Sequence, residues 1–567
     1  MQLSAAYERY RAWLDDPSID SETKRELRAI EGQDKEIEDR FYRELEFGTG
    51  GLRGVIGAGT NRMNRYTVGK TTQGLADDLL KHGQAPLSAV IAHDSRHQSP
   101  EFALECALVL AANGIKAYLF EGLRPTPELS FAVRRLGASA GIVVTASHNP
   151  PEYNGYKVYG AYGGQLVPAQ AERVIKAIGQ VAGFDAVKKI TQEEAEARGL
   201  LQWIGADLDE AFVEAVASVS QRPELVRRMG DRLSVIYTPL HGAGNMPVRR
   251  VLERIGLSHV QVVTEQEQAD PNFSTVKSPN PEEREAFTLA LDLAKKHQAD
   301  LIIGTDPDCD RMGAVVKDRS GDYVVLTGNQ AGSLMVHYLL DSLREKGQLP
   351  SNGVVIKTVV TSEFGAVIAR SFGIPTLNTL TGFKYIGEKM SEFEQRGDRS
   401  FLFGYEESYG YLAGTYARDK DAVLASMLIC EAAAYYKSQG KTLYDVLMEL
   451  YEKHGYFLER LESRTMKGKD GLERIASIMR EWRSAPPSDL AGVRVAEILD
   501  YSLGIQGLPQ ENALKYNLAD GSWFCLRPSG TEPKIKVYFA VQGSSQQDAY
   551  HKIEGLARTV MERVDRI

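Results

Sequence analysis

Cysteine is scarce in this chain, with four in 567 residues. None of the four belongs to a C-x-x-C pair, which excludes a disulfide framework and a thiolate zinc site and predicts reduced thiols. Long apolar runs are also missing, since the stretch 422–430 is halted by Glu431 and is far shorter than a membrane span. Charged residues interrupt the first sixteen positions, which a secretory signal does not tolerate, so we expect a cytoplasmic protein.

A basic excess is lacking as well. The chain has 67 Lys and Arg against 76 Asp and Glu, a net charge of −9, which argues against a protein that neutralises a nucleic-acid backbone or coats an anionic membrane. We therefore expect a small-molecule ligand, no nucleic-acid or membrane partner, and a monomer or small homo-oligomer. At about 150 residues per domain, the length predicts about four domains.

One local pattern occurs three times along the chain and predicts the fold. An apolar β-branched run, a polar loop, a helical segment, a Gly followed by Ile or Leu, and a second short strand recur at 89–120, 234–263 and 354–374. In each unit we expect the Gly to end the helix in a left-handed cap before a parallel strand. Any α/β protein can contain such units, but their spacing favours three similar domains in series.

The two ends of the chain differ from these units. Residues 1–46 carry charges of both signs and predict a helical lead-in on the surface of a larger body. After the loop 484–488, short strands and a final amphipathic helix predict an α+β domain. The predicted fold class is therefore α/β, with three similar α/β domains and a carboxyl-terminal α+β domain. The expected limits are 1–46 for the lead-in and 47–205, 206–318, 319–455 and 456–567 for the four domains.

A serine follows a predicted buried strand. The apolar run 141–144 leads directly into the loop 145–151 (TASHNPP), and open α/β sheets bind ligands at strand carboxyl ends. Ser147 beside His148 suggests a nucleophile next to a proton-transfer group, because a hydroxyl is a weak nucleophile until a base takes its proton. The flanking residues exclude the G-x-S-x-G elbow of hydrolases. The alternative is a turn in which Ser147 or Asn149 caps a helix.

Three aspartates at alternate positions follow another apolar run. Asp306, Asp308 and Asp310 come after 301–304 and are followed by Arg311. Neighbouring carboxylates repel one another when partly desolvated, so we expect a bound cation, and oxygen ligands favour Mg²⁺ or Ca²⁺. An EF-hand is excluded because its required Gly and Glu are missing. The alternative is a solvated acidic turn.

Three further loops carry potential binding groups. The loop 527–534 (RPSGTEPK) combines two cations, two hydroxyls and a Gly, a composition typical of a phosphate site, although a polar hairpin turn would also use it. In the loop 47–54 (FGTGGLRG), Thr49 and Arg53 can face an anion. The loop 404–410 (GYEESYG) offers carboxylates and a hydroxyl to sugar hydroxyls.

Taken together, these loops resemble those of the α-D-phosphohexomutase superfamily. Its members carry a TASHNP-like serine loop, a D-x-D-x-D-R metal loop, a GEES-like sugar loop and an R-P-S-G-T-E phosphate loop, and all four occur here in that order. The lead-in and the segment FGTGGLRG are most similar to those of the phosphoglucomutase branch, which also includes phosphopentose-active enzymes. The resemblance covers residue 47 to the carboxyl terminus and implies four domains around a central cleft.

The resemblance also implies a role for each motif. The implied catalytic residues are Ser147, as the phosphorylated serine, with His148, Lys157, Arg53 and Arg311. The implied Mg²⁺ ligands are Ser147, Asp306, Asp308 and Asp310. The residues implied in binding the sugar or the non-reacting phosphate are Thr49, Thr381, Gly382, Glu406, Ser408, Arg418, Lys420, Arg527, Ser529, Gly530, Thr531 and Lys534. The chain departs from the family at Tyr405, which stands in place of Gly and leaves the sugar preference open.

The implied activity is that of an α-phosphoglucomutase, an intramolecular phosphotransferase of the isomerase class. A phosphoserine would phosphorylate the free 6-hydroxyl of glucose 1-phosphate, and the glucose 1,6-bisphosphate formed would turn end for end and return its 1-phosphate to the serine. Glucose 1,6-bisphosphate would also serve as activator by rephosphorylating the enzyme. Phosphomannomutase or phosphopentomutase activity is the alternative. A phosphatase is a further alternative. An inactive sugar-binding protein is disfavoured, because it should have lost Ser147 or an aspartate ligand and none of these residues is lost.

Overall fold

Three helices precede the first sheet and pack against its domain. The computed structural model describes residues 5–48, 50–466, 468–529 and 534–567. The first helices are α1 Ala5–Asp15, α2 Ser21–Ala29 and α3 Asp34–Phe41. Trp13 packs edge-on against Phe41, Tyr66 and Phe184, and the last two residues belong to the following domain. The lead-in is therefore helical and lies on a larger body, as the sequence predicts.

The first domain is built around a six-stranded sheet. Its elements are β1 Gly51–Val55, α4 Arg65–His82, β2 Ser88–His93, α5 Ser99–Ala112, β3 Lys116–Phe120, α6 Thr126–Leu136, β4 Ala140–Val144, β5 Tyr153–Gly160, α7 Pro168–Gln180, α8 Gln192–Ala197 and β6 Leu201–Ile204. The strand order is β1-β5-β4-β2-β3-β6. Strand β5 runs antiparallel to both of its neighbours, and the other pairings are parallel. Apolar cores cover both faces, as parallel sheets require.

The second and third domains repeat this design with smaller sheets. The second contains α9 Ala206–Ala217, α10 Pro223–Met229, β7 Val235–Thr238, α11 Asn245–Ile255, β8 Val260–Val262, α12 Thr288–His297, β9 Leu301–Thr305, β10 Met312–Lys317 and β11 Tyr323–Val325. The third contains α13 Gly328–Glu345, β12 Gly353–Thr358, α14 Phe364–Ser371, β13 Thr376–Thr379, α15 Phe383–Arg396, β14 Ser400–Tyr405, β15 Tyr411–Ala413, α16 Ala422–Ser438 and α17 Leu443–His454. The strand orders are β11-β10-β9-β7-β8 and β13-β12-β14-β15.

These two domains share one apolar core. It contains Val235 and Ile303 of the second sheet together with Ile356 and Phe403 of the third. Helix α16 contacts elements of both domains, and every residue from 422 to 436 is buried. A helix that is apolar on all sides is stable only inside a core, so α16 holds the two domains together.

The three repeated units fold as the sequence predicts. In each one a helix, α5, α11 or α14, connects two parallel strands. The glycines after these helices, Gly114, Gly256 and Gly373, have φ of +74°, +101° and +78°. A side chain is strained in that left-handed region, so Gly lets the helix end and the chain turn back to the sheet.

The fourth domain is antiparallel. Its elements are β16 Tyr456–Thr465, α18 Gly468–Ser484, β17 Asp489–Leu490, β18 Val493–Asp500, β19 Leu514–Leu518, β20 Trp523–Pro528, β21 Lys534–Gly543 and α19 Gln546–Arg566. The strand order is β16-β21-β20-β19-β18-β17. Its core is separate from the core shared by the second and third domains, and a smaller cluster that includes Val360 and Trp523 joins it to the third domain. The predicted fold class is confirmed. Among the described residues, no helix combines the length and apolarity needed to cross a membrane.

Candidate active site

Ser147 is held in a strained conformation at the carboxyl end of β4. The residue is 3% exposed, and its φ of 52° lies in the left-handed region, which costs about 1–3 kcal/mol for a non-glycine residue. The backbone N–H of Ser147 donates to Thr145 Oγ1 at 2.8 Å, and Thr145 Oγ1 donates to Asp94 Oδ2 at 2.6 Å. These bonds offset the strain and fix the direction of the serine hydroxyl.

A buried arginine that sequence reasoning missed fastens the same loop. The guanidinium of Arg96 donates to the carbonyl oxygens of Ser147 at 2.6 Å, Pro150 at 2.8 Å and Tyr153 at 3.0 Å, and to that of Asn149. It also lies 3.2 Å from the Asp94 carboxylate. Both residues follow β2 directly, so the strand-end rule that found the serine loop could have found them.

The three aspartates form a buried cluster after β9. Their carboxylate oxygens lie within 4.8 Å of one another, and each residue is at most 1% exposed. Asp306 Oδ2 accepts from the Ser147 hydroxyl at 2.7 Å, which brings together loops 159 residues apart. Asp308 Oδ1 and Asp310 Oδ1 have no hydrogen-bond partner among the described residues. Burial, followed by the charges of Asp308 and Asp310, raises the pKa of Asp306 well above its usual value.

Two lysines bind the cluster. Lys157 Nζ donates to Asp308 Oδ2 at 2.7 Å and to Asp310 Oδ2 at 3.2 Å, and Lys420 Nζ lies 3.0 Å from Asp310 Oδ2. Burial opposes charging of these groups, yet the aspartates raise the pKa of both lysines, and the cations hold the pKa of Asp310 well below normal. Thr126 also donates to Asp308, at 2.8 Å, and no sequence signal marked it.

His148 lies beside the serine hydroxyl. Its Nδ1 is 3.2 Å from Ser147 Oγ and 3.9 Å from Asp306 Oδ2. Burial, together with the positive charges of Arg311 and Arg53, lowers the pKa of His148 well below its ordinary value. A neutral imidazole can accept a proton, so the pair has the geometry and the charge state of a hydroxyl beside its base.

The two predicted arginines of this site lie near the loops they were assigned to. Arg311 Nη1 pairs with Glu282 at 2.5 Å, and Arg311 Nε lies 3.8 Å from Asp310 Oδ1. Arg53 is exposed and donates to Asn149 Oδ1 at 3.3 Å. Both guanidinium groups can therefore add positive charge around the serine hydroxyl.

The predicted sugar loop is joined to the aspartate cluster through Lys420. Glu406 directly follows β14, and its Oε1 accepts from the backbone N–H of Gly382 at 3.0 Å. Burial raises the pKa of Glu406 to about 7, against the opposing charge of Lys420. Thr381 and Ser408 are half-buried in the same two loops. The carboxyl of Glu406 and the ammonium of Lys420 thus give this side of the site groups that can bind hydroxyls.

Tyr405, the departure from the family pattern, points away from this site. Its ring is fully buried against α13 and α14, where a Cβ added to Gly332 would lie 2.3 Å from the ring and one added to Gly365 would lie 2.1 Å from the hydroxyl. The two glycines make room for the ring. The departure therefore fills the core of the third domain.

The predicted phosphate loop is described in part. Arg527 Nε donates to Glu511, a residue that sequence reasoning missed. The backbone N–H of Ser529 donates to the carbonyl of Lys534 at 2.7 Å, so the two described ends of the loop are held together. Gly530 and Thr531, like Thr49 of the first loop, lie outside the described residues.

Arg418 is not brought into the site. It is 1% exposed, and its guanidinium donates to the carbonyls of Thr415 at 2.6 Å and Ala417 at 2.9 Å and to Glu394 at 2.6 Å. The guanidinium group therefore bonds to the loop before α16. These contacts hold that loop, and a role of Arg418 in substrate binding stays a prediction.

Comparison with solved structures gives the same fold. A putative phosphomannomutase from Thermus thermophilus superposes with a TM-score of 0.69 over 92% of this chain and 99% of that chain, at 24% identity. The Paramecium phosphoprotein pp63/parafusin, a phosphoglucomutase, superposes with a TM-score of 0.70 over 92% and 95%, at 17% identity. At these identities the likeness concerns architecture.

Sequence comparison gives the family. Phosphoglucomutase/phosphomannomutase profiles match residues 44–182, 210–321 and 327–454 as alpha/beta/alpha domains I, II and III, and 466–552 as the C-terminal domain. Phosphoglucomutases of Staphylococcus haemolyticus and Staphylococcus aureus are 39% and 37% identical, over 91% and 92% of this chain and 95% of each relative. These matches confirm the superfamily and the intramolecular phosphotransferase that the motifs predict, and the chain belongs to the phosphoglucomutase/phosphomannomutase family.

Proposed function

We propose that this chain is an α-phosphoglucomutase that interconverts glucose 1-phosphate and glucose 6-phosphate through a phosphoserine at Ser147 and a glucose 1,6-bisphosphate intermediate. The observation that carries the proposal is the Ser147 hydroxyl, 2.7 Å from Asp306 and 3.2 Å from His148 in a buried, cation-rich site. The choice of glucose as the sugar rests on the phosphoglucomutases of two staphylococci, which match nearly the whole chain.

Each charged group has a place in the transfer. His148, kept neutral by burial, takes or returns the proton as the serine and sugar oxygens exchange the phosphoryl group. Lys157, Arg311 and Arg53 stabilise the negative charge on the phosphoryl oxygens as it develops. The strained φ of Ser147 keeps its oxygen aimed at this cluster.

The aspartate cluster fits a hard divalent cation. Asp306, Asp308 and Asp310 would hold Mg²⁺ together with an oxygen of Ser147, and two of their buried oxygens are without a partner in the described part of the chain. When bound, Mg²⁺ supplies Lewis-acid neutralisation of the phosphoryl charge.

The third and fourth domains would bind the ends of the substrate that do not react. Glu406, Ser408, Lys420 and the 381–382 loop would hold sugar hydroxyls, and Arg527 with its loop would hold the second phosphate. Glucose 1,6-bisphosphate must reverse its direction between the two transfers. A phosphate-binding site on a separate domain can hold either of its phosphates in turn. We further infer a cytoplasmic monomer or small homo-oligomer, whose net charge of −9 disfavours nucleic acid and anionic membranes.

Turnover of Ser147→Ala tests the proposal. We expect the native chain to convert glucose 1-phosphate with Mg²⁺ and glucose 1,6-bisphosphate present, and Ser147→Ala to show no turnover. Ser371→Ala is the matched control, because Ser371 is exposed at the end of α14 and, among the described residues, bonds only to its own helix. Faster native turnover of mannose 1-phosphate or ribose 1-phosphate would assign the alternative sugars, and phosphate release without glucose 6-phosphate would show a phosphatase.

A further inference from the structure

A turn of the second domain reaches the serine loop of the first. Residues 270–275 lie between β8 and α12, and we call them the bridging turn. Arg96 Cζ lies over the ring of Phe273, 4.9 Å from the ring centroid, and both side chains are buried. Beside them, His97 Nε2 lies 2.7 Å from Asn272 Oδ1. The bridging turn therefore contacts the residues that follow β2, among them the arginine that fastens the serine loop.

Hydrogen bonds hold the backbone of Phe273 in a strained conformation. Its φ of 48° lies in the left-handed region, where a residue with a side chain persists only if its surroundings impose that conformation. The carboxylate of Asp270 accepts from the N–H of Asn272 at 3.0 Å and from that of Ser274 at 2.8 Å. The carbonyl of Asp270 accepts from the N–H of Phe273 at 3.1 Å. These bonds fix the backbone on both sides of the ring, as Asp commonly does in turns.

The other end of the bridging turn is attached beside the aspartate cluster. Thr275 Oγ1 lies 2.8 Å from Nε2 of the buried His241. The two residues after His241 pack on the metal loop. A Cβ added to Gly242 would lie 2.5 Å from Pro307 Cα, and the N–H of Ala243 donates to the Pro307 carbonyl at 2.8 Å. The bridging turn therefore joins the arginine of the serine loop to the loop that carries the aspartates.

Phe273 and the serine loop contact the same guanidinium group in different ways. The N–H groups of Arg96 donate to carbonyl oxygens of residues 147–153. A cation over an aromatic ring is attracted by the electrons of the ring, most strongly where water is excluded. Without the ring, the guanidinium group would gain room to move, and the carbonyls bonded to it would move with it. Loss of the ring should therefore displace the serine loop and leave the sugar and phosphate loops in place.

We propose that Phe273 is a positioning residue for the phosphoryl transfer. Its ring holds the Arg96 guanidinium, the guanidinium holds the serine loop, and the bridging turn sets both against the metal loop. The ring thereby maintains the 2.7 Å approach of the Ser147 hydroxyl to Asp306 across two domains. The inference rests on the proposed function, since its effect is read from the turnover of a sugar phosphate.

Turnover of Phe273→Leu tests the position of the guanidinium group. Leucine fills most of the same buried space and offers no aromatic ring to the cation. We expect kcat for glucose 1-phosphate to fall about tenfold, because a small misplacement of a reacting group lowers the rate. KM should stay within about twofold, because the residues assigned to sugar and phosphate binding are unchanged. Native kcat in Phe273→Leu would overturn the proposal, whatever the value of KM.

Phe372→Leu is the matched control. Arg344 Cζ lies over the ring of Phe372, 4.4 Å from the ring centroid, where α13 and α14 end, and neither residue is assigned to the site. This variant should keep kcat within about twofold, and an equal loss of kcat in both variants would overturn the proposal. A thermal melt shows whether each variant is folded. If Phe273→Leu is not, Phe273→Met takes its place, because Met adapts to the same space and also has no ring.

Combining Phe273→Leu with Arg96→Lys tests whether the ring acts through the arginine. Arg96→Lys by itself loosens the serine loop, which leaves the ring little to hold. The double variant should therefore have a kcat within about threefold of Arg96→Lys. Residues that act independently give effects that multiply. A double variant about tenfold below Arg96→Lys would therefore overturn the proposed route.

Failure of the proposed function gives a different result. If the native chain turns over mannose 1-phosphate or ribose 1-phosphate but not glucose 1-phosphate, the sugar assignment fails and the same variants are compared on that substrate. If it turns over none of the three with Mg²⁺ and the matching bisphosphate, the proposed function fails and the inference fails with it. Equal kcat of an active native chain and Phe273→Leu refutes the inference alone.

Discussion

Arg96→Lys should impair turnover although Arg96 does not touch the serine hydroxyl. The guanidinium donates to four carbonyl oxygens of residues 147–153, whereas an ammonium has no planar fork and would keep one or two of those bonds. At about 1.5–3 kcal/mol for each hydrogen bond to a charged group, losing two removes about 3–6 kcal/mol from the attachment of the loop. Because a shift of about 1 Å at a reacting group costs about 100-fold in rate, we expect kcat to fall about 100-fold with a small change in KM.

Arg418→Lys is the matched control for this measurement. Arg418 is an equally buried arginine that also bonds to backbone carbonyls, but it holds the loop before α16. Its substitution should lower thermal stability to a similar extent and leave kcat within about twofold. The assay is steady-state turnover of glucose 1-phosphate together with a thermal melt of each variant. Equal kcat in the native chain and Arg96→Lys would refute the reasoning, and so would an equal loss in both variants.

Two further predictions concern the acidic groups. The pKa of Glu406 is about 7 in the folded chain and near 4.5 when unfolded, so the carboxyl weakens folding increasingly as the pH rises from about 4.5 to 7. Thermal melts should therefore show Glu406→Gln gaining stability over the native chain between pH 5 and pH 8, by about 3 kcal/mol at most; a constant difference would contradict this. Asp308→Asn should raise the half-saturating Mg²⁺ concentration in calorimetry at least about tenfold, while the exposed Asp398→Asn should not, and equal Mg²⁺ affinity in the two would remove Asp308 from the metal site.

Local patterns in the sequence predict much of the fold because helices, strands and turns depend on residues that are close together along the chain. The strands and helices of the three repeated units follow from hydrophobic periodicity, and Gly114, Gly256 and Gly373 mark the helix ends through their backbone freedom. The sequence does not predict that the second and third domains share one core. A buried helix such as α16 has the same apolar pattern whether it packs against one domain or two. The domain limits remain predictions.

The site could be predicted where its chemistry is concentrated in a loop. Ser147 and the three aspartates share the strand-end position and are found together in space. Arg418 shows the limit of this signal, because a cation near a sugar loop has the same sequence pattern whether it faces a ligand or bonds to backbone carbonyls, as Arg418 does here. Arg96 follows a strand and could have been found by the same rule, although its contact with the serine loop, 51 residues away, could not. Thr126 carried no signal, because its role depends on a contact 182 residues away along the chain.

Intact mass of the purified chain is the most direct test of the central claim that Ser147 carries the phosphoryl group. After incubation with glucose 1,6-bisphosphate and Mg²⁺, the native chain should contain a species heavier by one phosphoryl group, and peptide mapping should place it on Ser147. Ser147→Ala treated in the same way should show no such species. A phosphoryl group of equal abundance on Ser147→Ala, or its location on any other residue of the native chain, would contradict the account.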